Sequence, residues 1–372
     1  MKKILFLIHD LSVGGAEKVL VNLVNNMDTE KFDITVMSLF GGGVNEQFLS
    51  PNVKYKAWFK KAIFGNSHLM KLFSPKQLHK MIVKEHYDVE IAYLEGPASR
   101  VVSGCNDENT KKLSWIHCTM DSTDTLKLGF RNVVEATDCY ERFDKMLFVS
   151  EGVKNAFVKI CPDVKDPQTV YNTNESEKIK ALSLETADEL CDNGALKLCA
   201  MGKVVKNKGF DRLARIHKRL RDDGIPVHTY ILGVGDQQEK IEEYLLENGL
   251  ADSFTFLGYQ TNPYKYVSKC DLFVCSSYAE GFSTAATEAL IVGTPVCTVE
   301  VSGMREMLGE NNEYGIVTEN NEKALYEGIK KLLSDPHLLS HYKEKAVLRG
   351  KAFSTENTVK AVEDMLLNLW NF

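Results

Sequence analysis

The chain has 372 residues, of which 44% are hydrophobic and 26% charged, and its formal net charge is -6. At about 150 residues per domain this length implies two domains. The composition excludes a disordered, collagenous or coiled-coil chain, and the net acidic charge excludes a dedicated polyanion binder.

Residues 4–8 form an apolar run behind Met1-Lys2-Lys3 and imitate a signal peptide. The run is too short for an h-region and no small-residue cleavage site follows, so it reads as a buried first strand. No stretch is long and apolar enough for a transmembrane helix. The cysteines are odd in number and scattered, without a Cys-x-x-Cys pair, which suits a reducing, cytoplasmic setting.

Gly14-Gly15 then leads into a helical pattern over 16–27, with Val19, Leu20, Leu23 and Val24 on one face. Strand-like runs follow at 34–37, 89–93, 113–116 and 146–149, with helical stretches at 77–86 and 152–160 between them. Such alternation predicts a parallel sheet covered by helices. It lapses over a polar stretch at 173–194 and resumes with runs at 196–201, 227–232, 254–257, 272–275 and 296–299. Helical patterns at 210–223, 237–248 and 284–292 separate these runs, and a last one covers 355–370. The fold class is therefore α/β, with two doubly wound Rossmann-like domains expected to face a cleft. The expected boundaries are 1–172 for the first domain, 173–194 for a connection and 195–354 for the second. Residues 355–372 would form a terminal helix crossing back to the first domain.

Open α/β sheets bind ligands outside the carboxyl ends of their strands, so the loops after each run carry the candidates. After 272–275 comes Ser276-Ser277-Tyr278-Ala279-Glu280-Gly281-Phe282-Ser283-Thr284, with Glu288 further into the following helix. Gly281 permits close backbone approach and Ser283 is a natural helix cap. The free N–H groups at that helix start favour a phosphate by roughly 0.3–2 kcal/mol. A carboxylate beside such a site suits sugar hydroxyls; the plainer reading is a capped helix with two solvated glutamates. After 196–201 comes Gly202-Lys203-Val204-Val205-Lys206-Asn207-Lys208-Gly209, whose lysines would neutralise a diphosphate or simply face water. It is not a P-loop, and the Gly233-Val234-Gly235 turn lacks the third glycine of a dinucleotide fingerprint. His117 closes the 113–116 run, where a lone histidine serves either structure or substrate. No His, Asp and Glu stand at metal-ligand spacing, so no metal and no cofactor are expected.

In order along the chain stand Gly14-Gly15-Ala16-Glu17, Val149-Ser150-Glu151-Gly152-Val153, Tyr171-Asn172 and Gly202…Lys208-Gly209-Phe210. Leu257-Gly258-Tyr259, Glu280-x7-Glu288, Thr294-Pro295-Val296 and Gly315 follow. This series resembles the retaining glycosyltransferases of family 4, of GT-B architecture, and is similar to bacterial cell-surface polysaccharide glycosyltransferases. The resemblance implies that Glu288 holds the ribose hydroxyls of a nucleotide-sugar donor. It implies that Glu280, with the backbone of Gly281, Phe282 and Ser283, meets the donor sugar. Ser283 and Thr284 would also meet the diphosphate, and Lys208 and Lys203 would neutralise it. The family usually carries arginine where Lys203 stands, and lysine lacks the bidentate fork. Tyr259 and Gln260 would frame the base, Gly233 would lie beside the donor, and Gly14 and Gly15 would lie near phosphates and acceptor. His117 would approach the donor sugar.

The implied reaction moves a hexosyl unit from a nucleotide diphosphate sugar, UDP favoured, to a glycan acceptor, by a metal-independent front-face route with retention. Glu280, His117 and Lys208 are the expected catalytic set. A sugar-nucleotide epimerase of the same architecture and a catalytically silent nucleotide-sugar binder are the alternatives. One further stretch stands out, since residues 53–84 lack any acidic side chain. Within it Lys54, Lys56, Lys60 and Lys61 interleave with Trp58, Phe59 and Phe64. These residues either pack into the first domain with solvated lysines or touch an anionic membrane. The second reading suits a lipid-linked acceptor, a peripheral position on the inner face of the plasma membrane, and no nucleic-acid partner.

Overall fold

The computed structural model describes residues 1–12, 14–61 and 70–370. They divide into two compact units, one of Met1–Asn174 with Thr355–Phe372 and one of Glu175–Ser354. Each is a parallel sheet wound with helices, as the alternation predicts.

The first sheet is built from β1 (Lys2–Ile8), β2 (Phe32–Phe40), β3 (Lys54–Phe59), β4 (Val89–Tyr93), β5 (Lys111–Ile116), β6 (Lys145–Phe148) and β7 (Pro167–Thr169). Its order is β3-β2-β1-β4-β5-β6-β7, parallel throughout. β1 is central, and its residues Ile4, Leu5, Phe6, Leu7 and Ile8 are wholly buried. That explains the apolar run that imitates a signal peptide: a strand covered on both faces has no polar side to show.

The second sheet comprises β8 (Leu196–Met201), β9 (Val227–Leu232), β10 (Phe254–Gly258), β11 (Leu272–Cys275), β12 (Val296–Val299) and β13 (Ile316–Thr318). Its order is β10-β9-β8-β11-β12-β13, again all parallel. Helix Phe210–Asp222 lays Leu213, Ile216 and Leu220 into the core beneath it. Both sheets reverse their winding once, between β1 and β4 and between β8 and β11. Those switch points are where an open sheet leaves a crevice for a ligand.

The polar stretch read as a connection contains the helix Ser176–Ser183, which belongs to the second unit. Its end is held by Asn262 Nδ2 donating to Leu182 O (2.9 Å) and Ser268 Oγ donating to Ser183 O (3.0 Å). The helix Thr355–Leu367 joins the first unit, where Glu363 accepts from the backbone N–H of Asp28 (2.6 Å). Nearby, Lys2 Nζ lies 3.9 Å from the centroid of the Trp370 ring.

The helix expected at 77–86 starts and stops earlier, at Pro75–Ile82. Ser74 caps it by accepting from Gln77 N, Gln77 bonds back, and Pro75 occupies the first helical position. β3, β7 and β13 escape the sequence pattern: β3 has no fully buried residue, and β7 and β13 are only three residues long. Among the described residues no helix is long and apolar enough to cross a membrane.

Candidate functional site

At the β8/β11 switch point two loops are stitched together. Gly209 adopts φ +64, and a Cβ there would stand 2.0 Å from the carbonyl oxygen of Ser276. Only glycine combines that left-handed backbone with so close an approach. Arg212, 2% exposed, then donates from Nη2 to the carbonyls of Ser276 and Ser277 and from Nε to Ser276 O (3.2 Å). Ser276 Oγ donates to Lys208 O (3.0 Å), Tyr278 N to Asn207 O (2.8 Å) and Asn207 Nδ2 to Ala279 O (3.0 Å). The loop after β8 and the loop after β11 therefore behave as one rigid piece.

This piece carries the candidate chemistry. Lys208 Nζ lies 2.6 Å from Glu280 Oε1, and Ser277 Oγ donates to the same oxygen at 2.6 Å. Phe282 is buried, with its ring 6.0 Å from that of Phe353, which anchors the turn between Glu280 and the next helix. That helix, Thr284–Ile291, begins at Ser283, whose Oγ accepts from Ala286 N at 3.3 Å. Glu280, Lys208 and the helix start thus stand side by side, one carboxylate and one cation beside N–H groups suited to an anion. Glu288 sits in the second turn, 5% exposed, with its Oε1 accepting from the Tyr264 hydroxyl at 2.9 Å.

The other expected donor residues surround this piece. Lys203 is exposed on the loop after β8. Gly233, at φ +152, leaves no room for a side chain because a Cβ would meet Gly202 O at 1.9 Å. Gly235 is pressed on Val204 in the same way, so this turn exists to buttress the lysine loop. Tyr259 is exposed after β10, while Gln260 Nε2 donates to Leu257 O (2.6 Å) and its Oε1 accepts from Tyr266.

In the first unit Gly14 caps the helix Gly15–Asn26 in extended conformation. A Cβ on Gly14 would stand 1.9 Å from the Glu17 carboxylate, which folds back over the helix start. His117 follows β5 with its backbone N–H bonded to Glu95 Oε2 (3.0 Å). Its ring packs on Tyr93, with centroids 4.4 Å apart, and burial pushes its pKa down to about 3, so the imidazole is neutral. Nε2 of His117 is buried with no hydrogen-bond partner among the described residues. A buried ring nitrogen left open in this way is costly without a ligand.

Several placements differ from the sequence reading. Lys54 and Lys56 stay at the surface but are paired, with Asp33 (2.7 Å) and Glu85 (2.7 Å). Phe59 stacks on Phe40 at 5.8 Å and Trp58 leans on Phe59, both half-buried on edge strand β3. Lys60 and Lys61 are exposed, and Phe64 lies outside the described residues. The fold also gathers His79, Glu90 and Cys105, whose ligand atoms lie within 4.8 Å of one another. His79 Nε2 already spans both Glu90 oxygens (2.8 and 3.1 Å), so the group is satisfied as an ion pair. Sequence reasoning missed Arg212, Ser277 and Tyr264. Arg212 and Tyr264 reach partners distant in sequence on neighbouring elements, which no local pattern records; Ser277 was in view, but nothing marked its hydroxyl as a ligand for Glu280.

Comparison with known proteins bears on this geometry. Residues 185–349 match the family described as "Glycosyl transferases group 1". Over 98% of the chain and 99% of the relative, the sequence is 29% identical to an enzyme of Campylobacter jejuni. That relative is named N-acetylgalactosamine-N,N'-diacetylbacillosaminyl-diphospho-undecaprenol 4-alpha-N-acetylgalactosaminyltransferase. A lipopolysaccharide core biosynthesis glycosyltransferase of Rhizobium meliloti, LpsE, is 24% identical over 96% of the chain and 95% of its own. In fold the chain matches the Anabaena protein Alr3699/HepE, solved with UDP, at a TM-score of 0.78 and 17% identity. That match covers 98% of this chain and 100% of the other.

Proposed function

From the match of residues 185–349 to the glycosyl transferases group 1 family, we propose that the chain transfers a hexosyl unit from a UDP-sugar to a lipid-linked glycan acceptor. Transfer proceeds with retention and without a metal. One observation carries this reading: Lys208, Glu280 and the start of helix Thr284–Ile291 meet at the β8/β11 switch point, with Glu288 one turn further.

Cleaving the anomeric C–O bond leaves an oxocarbenium-like carbon and sends the electron pair to the UDP oxygen. Lys208 Nζ and the helix-start N–H groups, with Lys203 beside them, stabilise that negative charge. The acceptor oxygen attacks the same face, and its proton passes to the departing phosphate. Glu280 holds hydroxyls of the donor sugar and Glu288 those of the ribose, while Tyr259 and Gln260 frame the base. Gly14 and Gly15 leave backbone room for phosphate or acceptor. His117, neutral and with an open Nε2, hydrogen-bonds a substrate hydroxyl without adding charge.

A lipid-linked acceptor is supported by the diphospho-undecaprenol in the Campylobacter relative's name. It also suits the surface of the first unit, where Leu72 is 72% and Val134 69% exposed, with Phe73 and Leu128 also showing. Arg131 ties the two stretches, donating to Lys71 O (2.6 Å) and Leu72 O (3.1 Å). The loop carrying Leu128 runs against Gly96, beyond the carboxyl end of β4 and so at the same end of the sheet as His117. We place the protein peripherally on the cytoplasmic membrane face through this surface.

The test is incubation with UDP-hexoses and a polyprenyl-diphosphate glycan, with and without EDTA, reading product anomer by NMR. Transfer with retained configuration, unaffected by chelator, is expected. Epimerised donor, unchanged donor, inverted product or magnesium-restored activity overturns the corresponding part.

A further inference from the structure

Glu288 is a carboxylate in a nearly closed environment, and a Glu side chain has three rotatable bonds to fix. Burying an ionised carboxylate is unfavourable unless it is hydrogen-bonded. Tyr264 meets that need: it is 6% exposed, and its hydroxyl donates to Glu288 Oε1 at 2.9 Å. The tyrosine is itself held in place by its surroundings. It opens the short helix Tyr264–Val267, which follows Pro263. Thr294 Oγ1 donates to Val267 O (2.8 Å), tying this helix to the turn that ends Thr284–Ile291. On the other side Asn262 and Ser268 bond the end of helix Ser176–Ser183. The hydroxyl therefore reaches Glu288 from a shelf fixed on both sides.

We propose that Tyr264 is a positioning residue for ribose recognition, fixing the plane of the Glu288 carboxylate for two vicinal hydroxyls. The inference rests on the proposed ribose role of Glu288. A carboxylate whose plane is fixed can accept from both hydroxyls at once, and a site built that way rejects the analogue lacking one of them. A carboxylate free to turn recovers a single hydroxyl by rotation, so it discriminates less. The effect belongs to nucleotide binding and not to the bond-breaking step, because Tyr264 bonds Glu288 in the second helical turn, whereas Lys208 pairs with Glu280 in the loop before the helix.

The experiment is calorimetric binding of UDP and 2′-deoxy-UDP to the unaltered protein, Tyr264→Phe, Tyr264→Leu and Glu288→Gln, with thermal midpoints for each. Tyr264→Phe is expected to weaken UDP about tenfold, the worth of one hydrogen bond to a charged group. Its binding of 2′-deoxy-UDP should change much less, so the ratio between the two nucleotides shrinks. Saturating UDP-sugar should restore kcat, leaving the change in KM. Equal weakening of both nucleotides would mean general loosening and would overturn the proposal, as would an unchanged ratio in both Tyr264 variants. If Glu288→Gln loses discrimination while the Tyr264 variants keep it, the ribose role stands and the positioning role fails. If Glu288→Gln keeps full discrimination, the ribose role fails and the proposal with it; if the unaltered protein binds no UDP, the choice of UDP as donor nucleotide fails and the proposal falls with it.

Discussion

Lys208 Nζ stands 2.6 Å from Glu280. A phosphate bound there would compete with that carboxylate for the lysine. Lys208→Ala is expected to lower single-turnover transfer by about 10²–10³, the usual loss when one donor to a developing oxyanion is removed. Near-normal turnover would contradict the assignment. The histidines set a second expectation. Burial pushes His117 to about 3, and burial with the nearby Arg221 and His228 charges pushes His217 to about 3 as well. Below the ordinary value of 6.5 the unfolded chain takes up protons that these native imidazoles refuse. Stability therefore falls as pH drops from about 6.5 toward 3, by up to about 1.4 kcal/mol per pH unit for each group. His79 works oppositely: burial opposes its charge, but hydrogen bonds with Cys105 and Glu90 hold it up at about 9. Its contribution is complete below 6.5 and is lost as pH rises through 9. Thermal midpoints from pH 5 to 10 should peak near neutrality, and His79→Gln should flatten the alkaline side alone. At this scale the sequence is informative about which residues matter and silent about their partners. Glu280 and Glu288 stand out in one loop-and-helix stretch, whereas Tyr264 comes from a different element and bears no local mark.

Among elements, the loop after β8 and the loop after β11 matter most, and their adjacency follows from strand order. The chain builds β8 and β9 side by side, then β10, and returns to lay β11 on the far side of β8. A linear pattern shows each strand and the loop behind it, but not which strands become neighbours. That is why both loops were legible as candidates and the Arg212 and Gly209 stitching was not. Gly209→Ala is expected to destabilise the second unit by more than about 2 kcal/mol, since left-handed strain adds to a backbone collision. Donor binding should weaken in parallel, measured by thermal shift with and without UDP. A variant as stable as the parent would show that the loops need no such approach. Ser283→Ala is a milder probe of the same corner, with about 1 kcal/mol lost for a missing helix cap.

For the whole molecule, the two wound sheets were readable because buried parallel strands and amphipathic helices alternate so regularly. β3, β7 and β13 were not, since β3 has no fully buried residue and the other two are three residues long; β3, with Lys54, Lys56 and Trp58, also reads as a surface motif. That matters for membrane attachment. Leu72→Glu with Val134→Glu is expected to reduce sedimentation with anionic liposomes several-fold, whereas Lys54→Met with Asp33→Asn, which removes a matched pair, is not. Undiminished binding by the Leu72/Val134 variant would move the lipid contact elsewhere. The path of the chain has its own consequence. Thr355 Oγ1 donates to Asn174 O at 2.7 Å, so the points where the chain leaves and rejoins the first unit lie side by side. The second unit is thus an insertion in the first. During synthesis it is the first body whose residues have all emerged, while the older sheet still waits for helix Thr355–Leu367. Trimming that helix from a gene would therefore spare the unit it directly follows and injure the one that was made first.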